Sequence, residues 1–314
     1  MRAKDWGKLI FSAGVLALVL GLGHPERIWA AISAANLTWM AAALAAWAGI
    51  QGLNVLRWWI LSRAQGLALG FGILLRLYFV GMFFNTFLPS GFGGDVVRGY
   101  ELSRRIKGGN AIVSVASDRF VALYALLLLA CAALFLAPAD FRLVPPWGAA
   151  IGLLGATIAP WMLWAGLPWL ESLAVGKNWS KLSGLFKQVR EGSKALRASP
   201  RAVVASLLVA LLCQALGIFM HYLLIRALGL PVPLGYLIVF FPILSLAASL
   251  PISINGIGVR EGGFLFFLGR IGVSSSGAVA LGILSFAMLL LSSACGAALY
   301  ALERRTETPV LEGS

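Results

Sequence analysis

The chain has 314 residues, 60% of them hydrophobic and only 12% charged, with a mean hydropathy of +0.89. Soluble domains carry about a quarter of their residues as charge, so this composition excludes water-soluble enzyme folds, disordered chains and collagen. The excess of 25 Lys and Arg over 12 Asp and Glu gives a formal net charge of +13. On so apolar a chain that excess belongs on cytoplasmic loops facing anionic lipid headgroups rather than on nucleic acid.

The apolar stretches predict an all-α polytopic membrane protein with about six full transmembrane helices and two shorter, broken segments. The first span covers residues 8–23. Its basic start resembles a signal peptide, but Gly21-Leu22-Gly23-His24-Pro25 is a poor cleavage site, and a membrane helix is the better reading. Residues 25–36, with Arg27 and Trp29, lie in the interface before a second span at 37–60, which Arg57, Trp58, Trp59 and Arg63 close as an interfacial anchor. Residues 71–88 are apolar until Pro89-Ser90-Gly91-Phe92-Gly93-Gly94-Asp95 stops them, and 96–105 then form a short helix. A helix cannot run through that stop, and its freed backbone groups must face protein or a watery cavity, because lipid offers no partners. The segment is therefore expected to be a re-entrant hairpin that returns to its own, basic side.

Residues 110–137 form a third full span with Asp118 and Arg119 about two turns in, and 145–170 a fourth. Lysines and arginines interleaved with leucines mark 171–200 as a basic amphipathic cytoplasmic connector. After a span at 201–229, residues 233–250 run into a second break, Pro251-Ile252-Ser253-Ile254-Asn255-Gly256-Ile257-Gly258, followed by a short helix at 259–272 and a last span at 274–302. With a cytoplasmic amino terminus, about 17 of the Lys and Arg fall inside, four outside (Arg27, Arg142, Arg226, Arg270) and four within the membrane (Arg57, Arg98, Arg119, Arg260). That bias places both termini on the cytoplasmic side of an inner membrane.

Leu88-Pro89 precedes Arg98 by the spacing with which Leu250-Pro251 precedes Arg260, and each half reads span, span, hairpin, span. An odd number of full spans per half turns the second copy upside down, so the hairpins enter from opposite faces and meet near the midplane. Inverted repeats with broken central helices mark transporters. Residues 1–170 thus hold the first repeat and, at their end, the first span of the second. The connector follows at 171–200, the rest of the second repeat at 201–303, and a cytoplasmic tail at 304–314.

Asp95, Arg98, Asp118, Arg119, Arg260, Glu261 and Arg57 cluster around the breaks, and buried charges persist only when they pair, line water or hold a ligand. Three acids against four bases leave one positive charge, which, with the amide-rich starts of the short helices, suits a phosphate headgroup. Asp95 and Arg98, three apart, also suit a purely local pair, whereas the adjacent Asp118 and Arg119 each need a partner from another helix. Asn85, Ser90, Ser253 and Asn255 are candidates to satisfy the opened backbone or touch ligand. Pro89, Gly91, Gly93, Gly94, Pro251, Gly256 and Gly258 are read as the hinge residues of the breaks. Cys131, Cys213 and Cys295 lack paired spacing and read as packing residues, and His24 and His221 form no ligand pattern, so no metal or other cofactor is expected.

The runs FLPSGFGGDVVRGYEL, SDRF and LPISINGIGVREGGFLFFLGRIG resemble the motifs of the lysylphosphatidylglycerol synthase transmembrane-domain family, the flippase-like module of bacterial aminoacyl-phospholipid proteins. The resemblance covers nearly the whole chain and implies movement of a phospholipid, aminoacylated or otherwise, between leaflets. It implies roles for Asp95, Arg98, Asp118, Arg119, Arg260 and Glu261 in that movement. About a dozen residues follow Leu302, so the soluble catalytic domain of the fused synthases is not expected, and the chain is not read as an enzyme. A lipid-synthesising enzyme is a candidate partner. The alternatives are an ion-coupled small-solute transporter, with Asp118 or Glu261 as proton carrier, and a membrane-embedded transferase acting on lipid-linked sugars.

Overall fold

The computed structural model describes residues 24–87, 93–106, 111–137, 194–249 and 256–306, with a few positions between 145 and 158. The expected spans at 8–23 and 145–170 and most of the connector lie outside the described residues. So do Pro89, Ser90, Gly91, Pro251, Ser253 and Asn255. Among the described residues the long elements are all helices: α1 (Pro25–Ser33), α2 (Leu37–Ala64), α3 (Phe71–Phe87), α4 (Gly93–Ser103), α5 (Ala111–Leu136), α6 (Pro200–Ala227), α7 (Leu234–Ser249), α8 (Val259–Gly269) and α9 (Ser275–Thr306). Four of them, α2, α5, α6 and α9, are long and apolar enough to cross a membrane, each at a position where the sequence predicts a span.

Local chemistry sets the ends of these helices. Asn36 caps α2, its side-chain oxygen accepting from the backbone N–H of Thr38 at 2.9 Å and of Trp39 at 3.3 Å. Pro200 opens α6 at the first turn, where its missing N–H costs nothing. At the second break Gly256 and Gly258 take φ of +77° and +87°, a left-handed backbone that turns the chain into α8.

The longest shared seam runs between α2 and α6, which are antiparallel. The Asn36 N–H donates to the Ala227 carbonyl at one end, and Leu61 packs with Ala210 and Leu207 toward the other. The end where α2 starts and α6 stops is called end I below, and the opposite one end II. A six-residue link carries the chain from α2 into α3 at end II, whereas α6 passes into α7 at end I.

Each short pair is an antiparallel helical hairpin. In the first, Gly94 lies against Gly81 and Asn85, and Leu102 packs with Leu74 and Leu77, so α4 folds back along α3 toward end II. In the second, Gly256 lies against Ala248, the Tyr236 hydroxyl donates to the Phe267 carbonyl at 2.7 Å, and Phe267 stacks on Phe240 at 5.1 Å, so α8 returns along α7 toward end I. The two hairpins therefore start from opposite ends of the α2–α6 pair. At 11 residues each, α4 and α8 rise about 16 Å, too little for a ~30 Å hydrocarbon layer.

Packing fills two main cores. Leu224, Leu237, Phe240, Phe264, Leu268 and Leu281 join α6 through α9, while Val55, Trp58, Leu74, Leu77 and Leu102 tie the first hairpin to α2. The α1 helix lies on α9 through Ile28, Val279 and Ala280. Between the first half of α2 and the middle of α9 the Trp47 indole N–H donates to the Ser292 hydroxyl at 3.1 Å.

Candidate functional site: an intramembrane ion lattice

Buried charge concentrates where α2, α4 and α5 meet. Asp118 of α5 is the centre: one carboxylate oxygen lies 2.8 Å from Arg57 Nε and the other 3.2 Å from an Arg98 terminal nitrogen. Arg98 continues to Asp95 at 3.2 Å, one turn earlier on α4, and Asp95 reaches back to Arg119 Nε at 3.3 Å. The result is an alternating chain, Arg57, Asp118, Arg98, Asp95, Arg119. Among the described residues it joins three arginines and two aspartates. Arg57, Arg98 and Asp118 are buried, with side-chain exposures of 5%, 6% and 3%, but Arg119 is 42% exposed and forms the open edge.

The surrounding residues hold this chain in place. Arg57 donates a further 2.8 Å hydrogen bond to the Asn54 amide oxygen. The Arg98 guanidinium lies 4.0 Å above the Trp58 ring and 5.2 Å from that of Tyr78, where the negative ring faces favour a cation. Below it a polar ladder joins α2 to α5: the Trp58 indole donates to Ser114, Ser62 shares a 3.0 Å hydrogen bond with Ser114, and the Gln65 amide donates to Ser117 at 2.9 Å. Residues 58, 62 and 65 recur at helical spacing on one face, so the ladder follows from the sequence of α2.

The hairpin brings Arg98 within reach of α2 and α5. The Gly94 N–H donates to the Asn85 amide oxygen at 2.8 Å, so Asn85 satisfies an opened backbone donor at the start of α4. A β-carbon at Gly94 would collide with the Gly81 carbonyl, and one at Gly81 with the Arg98 side chain. Only glycine at both positions lets the two helices close and Arg98 pass between them.

Three sequence expectations change. Arg57 and Trp58 do not anchor α2 at an interface: Trp58 is fully buried and Arg57 nearly so, because Asp118 and Ser114 of α5 take up their polar groups. Trp59 and Arg63, the other two residues of that expected anchor, do meet at the end of α2, with the Arg63 guanidinium 4.6 Å above the Trp59 ring. The lattice is also not at the middle of the bundle. Arg57 stands seven residues before the end of α2 and Asp118 seven after the start of α5, about 10 Å in from end II.

The charges of the second break do not join the lattice. Glu261 is buried, and its carboxylate accepts from the Gly258 N–H at 2.7 Å, capping α8, with its stem against Gly282 of α9. Arg260 stands half-buried in the first turn of α8, and His221 of α6 is buried, its Nδ1 2.8 Å from the Gly217 carbonyl oxygen and its ring 4.2 Å from Phe241.

Trp58, Tyr78, Ser62, Ser114, Gln65 and Ser117 were not singled out as site residues by sequence reasoning. Trp58 and Ser114 stand directly beside Arg57 and near Asp118, and a hydroxyl or indole next to an intramembrane charge was the available signal. Among the described residues no group of three or more His, Cys, Asp or Glu converges as a metal site would need. Cys131 and Cys213 are buried and Cys295 half-buried, all as free thiols.

No curated protein and no solved structure matches the chain. A family model does, over residues 6–296: that of the lysylphosphatidylglycerol synthase transmembrane region. The match spans both hairpins and the whole ion lattice, and the chain belongs to this family of membrane proteins with a lipid-related function.

Proposed function

We propose that the chain is a flippase-like transporter that moves an anionic or aminoacylated phospholipid between leaflets, and that it catalyses no chemical reaction itself. The observation that carries this reading is the lattice: three arginines and two aspartates from three helices joined within an apolar bundle, beside a broken helical hairpin. Charge is costly in lipid and marks a functional site there, and three arginines gathered at one place favour an anion. A lipid phosphate supplies one while its acyl chains stay in the bilayer.

The arrangement of the hairpins supports the same reading. They start from opposite ends of the α2–α6 pair, as two re-entrant hairpins of an inverted repeat of six spans would. Arg63, Arg104, Arg105, Lys194, Arg197 and Arg201 lie at or near end II, against Arg27, Arg226 and Arg270 at end I, a bias that favours end II as the cytoplasmic face of an inner membrane. The headgroup would then be drawn from the cytoplasmic leaflet toward the lattice and passed toward Arg260 as the hairpins rock. Asp118 and Glu261, the carboxylates an ion-coupled solute carrier would use, are both engaged, by Arg57 and Arg98 and by the Gly258 N–H.

The test is leaflet transfer of fluorescent phospholipid in vesicles containing the purified protein. Arg98→Gln and Arg260→Gln are each expected to abolish transfer while the proteins stay monodisperse and helical. Transfer by both variants at the wild-type rate would remove the assignment.

A further inference from the structure

A polar line runs along one face of α2 toward end II. Residues 47, 51, 54 and 58 recur there at helical spacing. The Trp47 indole donates to Ser292 of α9 and the Trp58 indole to Ser114 of α5, while the Asn54 amide is held between the Ile50 carbonyl and Arg57. Gln51 differs from these three. It is 8% exposed, and among the described residues no donor reaches its buried amide oxygen. It also stands at mid-depth, 14 residues after the start of α2 and 13 before its end, about 20 Å from either. Lipid offers no hydrogen bond at that depth, so the oxygen marks a place where a bound group can donate one.

Toward end I the same face of α2 turns apolar and becomes one wall of a groove. Leu37, Met40 and Leu44 line it from α2, and Ala287, Met288 and Leu291 from α9, around a space of about 410 Å³. Leu37, Leu44, Ala287 and Leu291 are exposed, so the groove opens sideways, where lipid tails lie. Its inner end is beside the hydrogen bond between Trp47 and Ser292, and Gln51 is one helical turn beyond Trp47. An apolar trough open to the bilayer, with a buried acceptor one turn past its inner end, is matched by an amphiphile whose head carries an O–H or N–H donor.

We infer that the seam between α2 and α9 is a mid-depth binding site for one phospholipid, an acyl chain in the groove and a headgroup hydroxyl or ammonium donating to Gln51. The inference rests on the transport reading and deepens it, naming the residue that selects a lipid halfway between leaflets. A site built to pair with a donor discriminates against a head that lacks one. The probes are two pairs of lipids with identical acyl chains. Phosphatidylglycerol and phosphatidylpropanol carry the same charge and differ in hydroxyls, and phosphatidylethanolamine and phosphatidylcholine differ in N–H donors. Each pair is offered in equal amounts to the full chain in detergent, and the one-lipid adducts are compared by native mass spectrometry.

Wild-type protein is expected to retain the donor-bearing member of at least one pair about five-fold over its twin, the scale of one buried hydrogen bond, and the pair that responds tells hydroxyl from ammonium. Gln51→Met is expected to hold both members equally and to unfold at no lower a temperature, because it removes an oxygen that has no protein partner. Ala287→Phe, which fills the groove, is expected to lower retention of both members alike. Equal retention within both pairs by the wild type overturns the site, whatever the variants do. So does a preference that survives in folded Gln51→Met, a marked drop in that variant's thermal midpoint, or retention that Ala287→Phe leaves unchanged. Selective retention by a wild type that transfers no lipid would keep the site and remove the transport reading. Transfer without selective retention would do the reverse.

Discussion

Asp118 joins two arginines from two different helices, and its removal should be felt by both. Replacing one member of a buried ion group leaves the others uncompensated, at a cost of about 3–5 kcal/mol. Asp118→Asn is therefore expected to lower the unfolding free energy in detergent by about that amount. Asp95→Asn should cost less, because Asp95 sits nearer the open edge, beside the half-exposed Arg119. Unfolding of the two variants by denaturant, followed by circular dichroism, gives the comparison, and equal costs would place the centre of the lattice elsewhere. The identities of these charges were legible in the sequence, because Asp and Arg inside apolar runs stand out by composition. Their partners were not. Asp95 and Arg98 pair at a helical spacing that can be read from numbering, whereas Arg57 and Asp118 are 61 positions apart and meet only through the packing of α2 on α5.

At the scale of elements, the hairpins depend on how closely two backbones approach. Gly94 meets the Gly81 carbonyl where a side chain would stand, whereas a β-carbon at Gly99 would make ordinary contacts with Ile112 at 3.7 Å and beyond. Gly94→Ala is expected to destabilise by about 1–3 kcal/mol, the usual cost of overpacking, and Gly99→Ala to change little. Thermal unfolding in detergent tests the pair, and a harmless Gly94→Ala would mean that α3 and α4 separate easily. The Pro and Gly of each break announced both hairpins, because no helix passes such a run intact. What the matched Leu-Pro-to-Arg spacing did not reveal is that the two copies use their charges differently. In the first, Asp95 and Arg98 turn outward to α5, while in the second Glu261 turns back to cap its own helix. Both patterns satisfy the same local spacing, and the neighbouring helix decides between them.

For the molecule as a whole, the opposite starting ends of the hairpins give a sidedness that can be measured. The link between α2 and α3 belongs to end II and that between α6 and α7 to end I. With the native cysteines replaced, Ala68→Cys should react with a membrane-impermeant maleimide only from the cytoplasmic side, and Pro231→Cys only from the other. Both positions are exposed. Labelling of both from one face would refute the inverted arrangement. The four described spans were legible because apolar runs of membrane length are a strong signal. Their antiparallel pairing, with α2 laid along α6 rather than along a sequence neighbour, depends on contacts that no local pattern encodes.

The hydrogen-bonded ladder between α2 and α5 limits how such a molecule can change shape. Trp58, Ser62 and Gln65 on one side and Ser114 and Ser117 on the other, extended by Arg57 and Asp118, fasten these helices over about two turns. Sliding them would break four contacts at once, none of which lipid could replace. The two helices must therefore travel as a single stiff beam. Whatever alternation opens the interior to one leaflet and then the other has to be taken up along weaker seams, and the one between α2 and α9, where the Trp47 indole donates to the Ser292 hydroxyl, is a natural place for the walls to part.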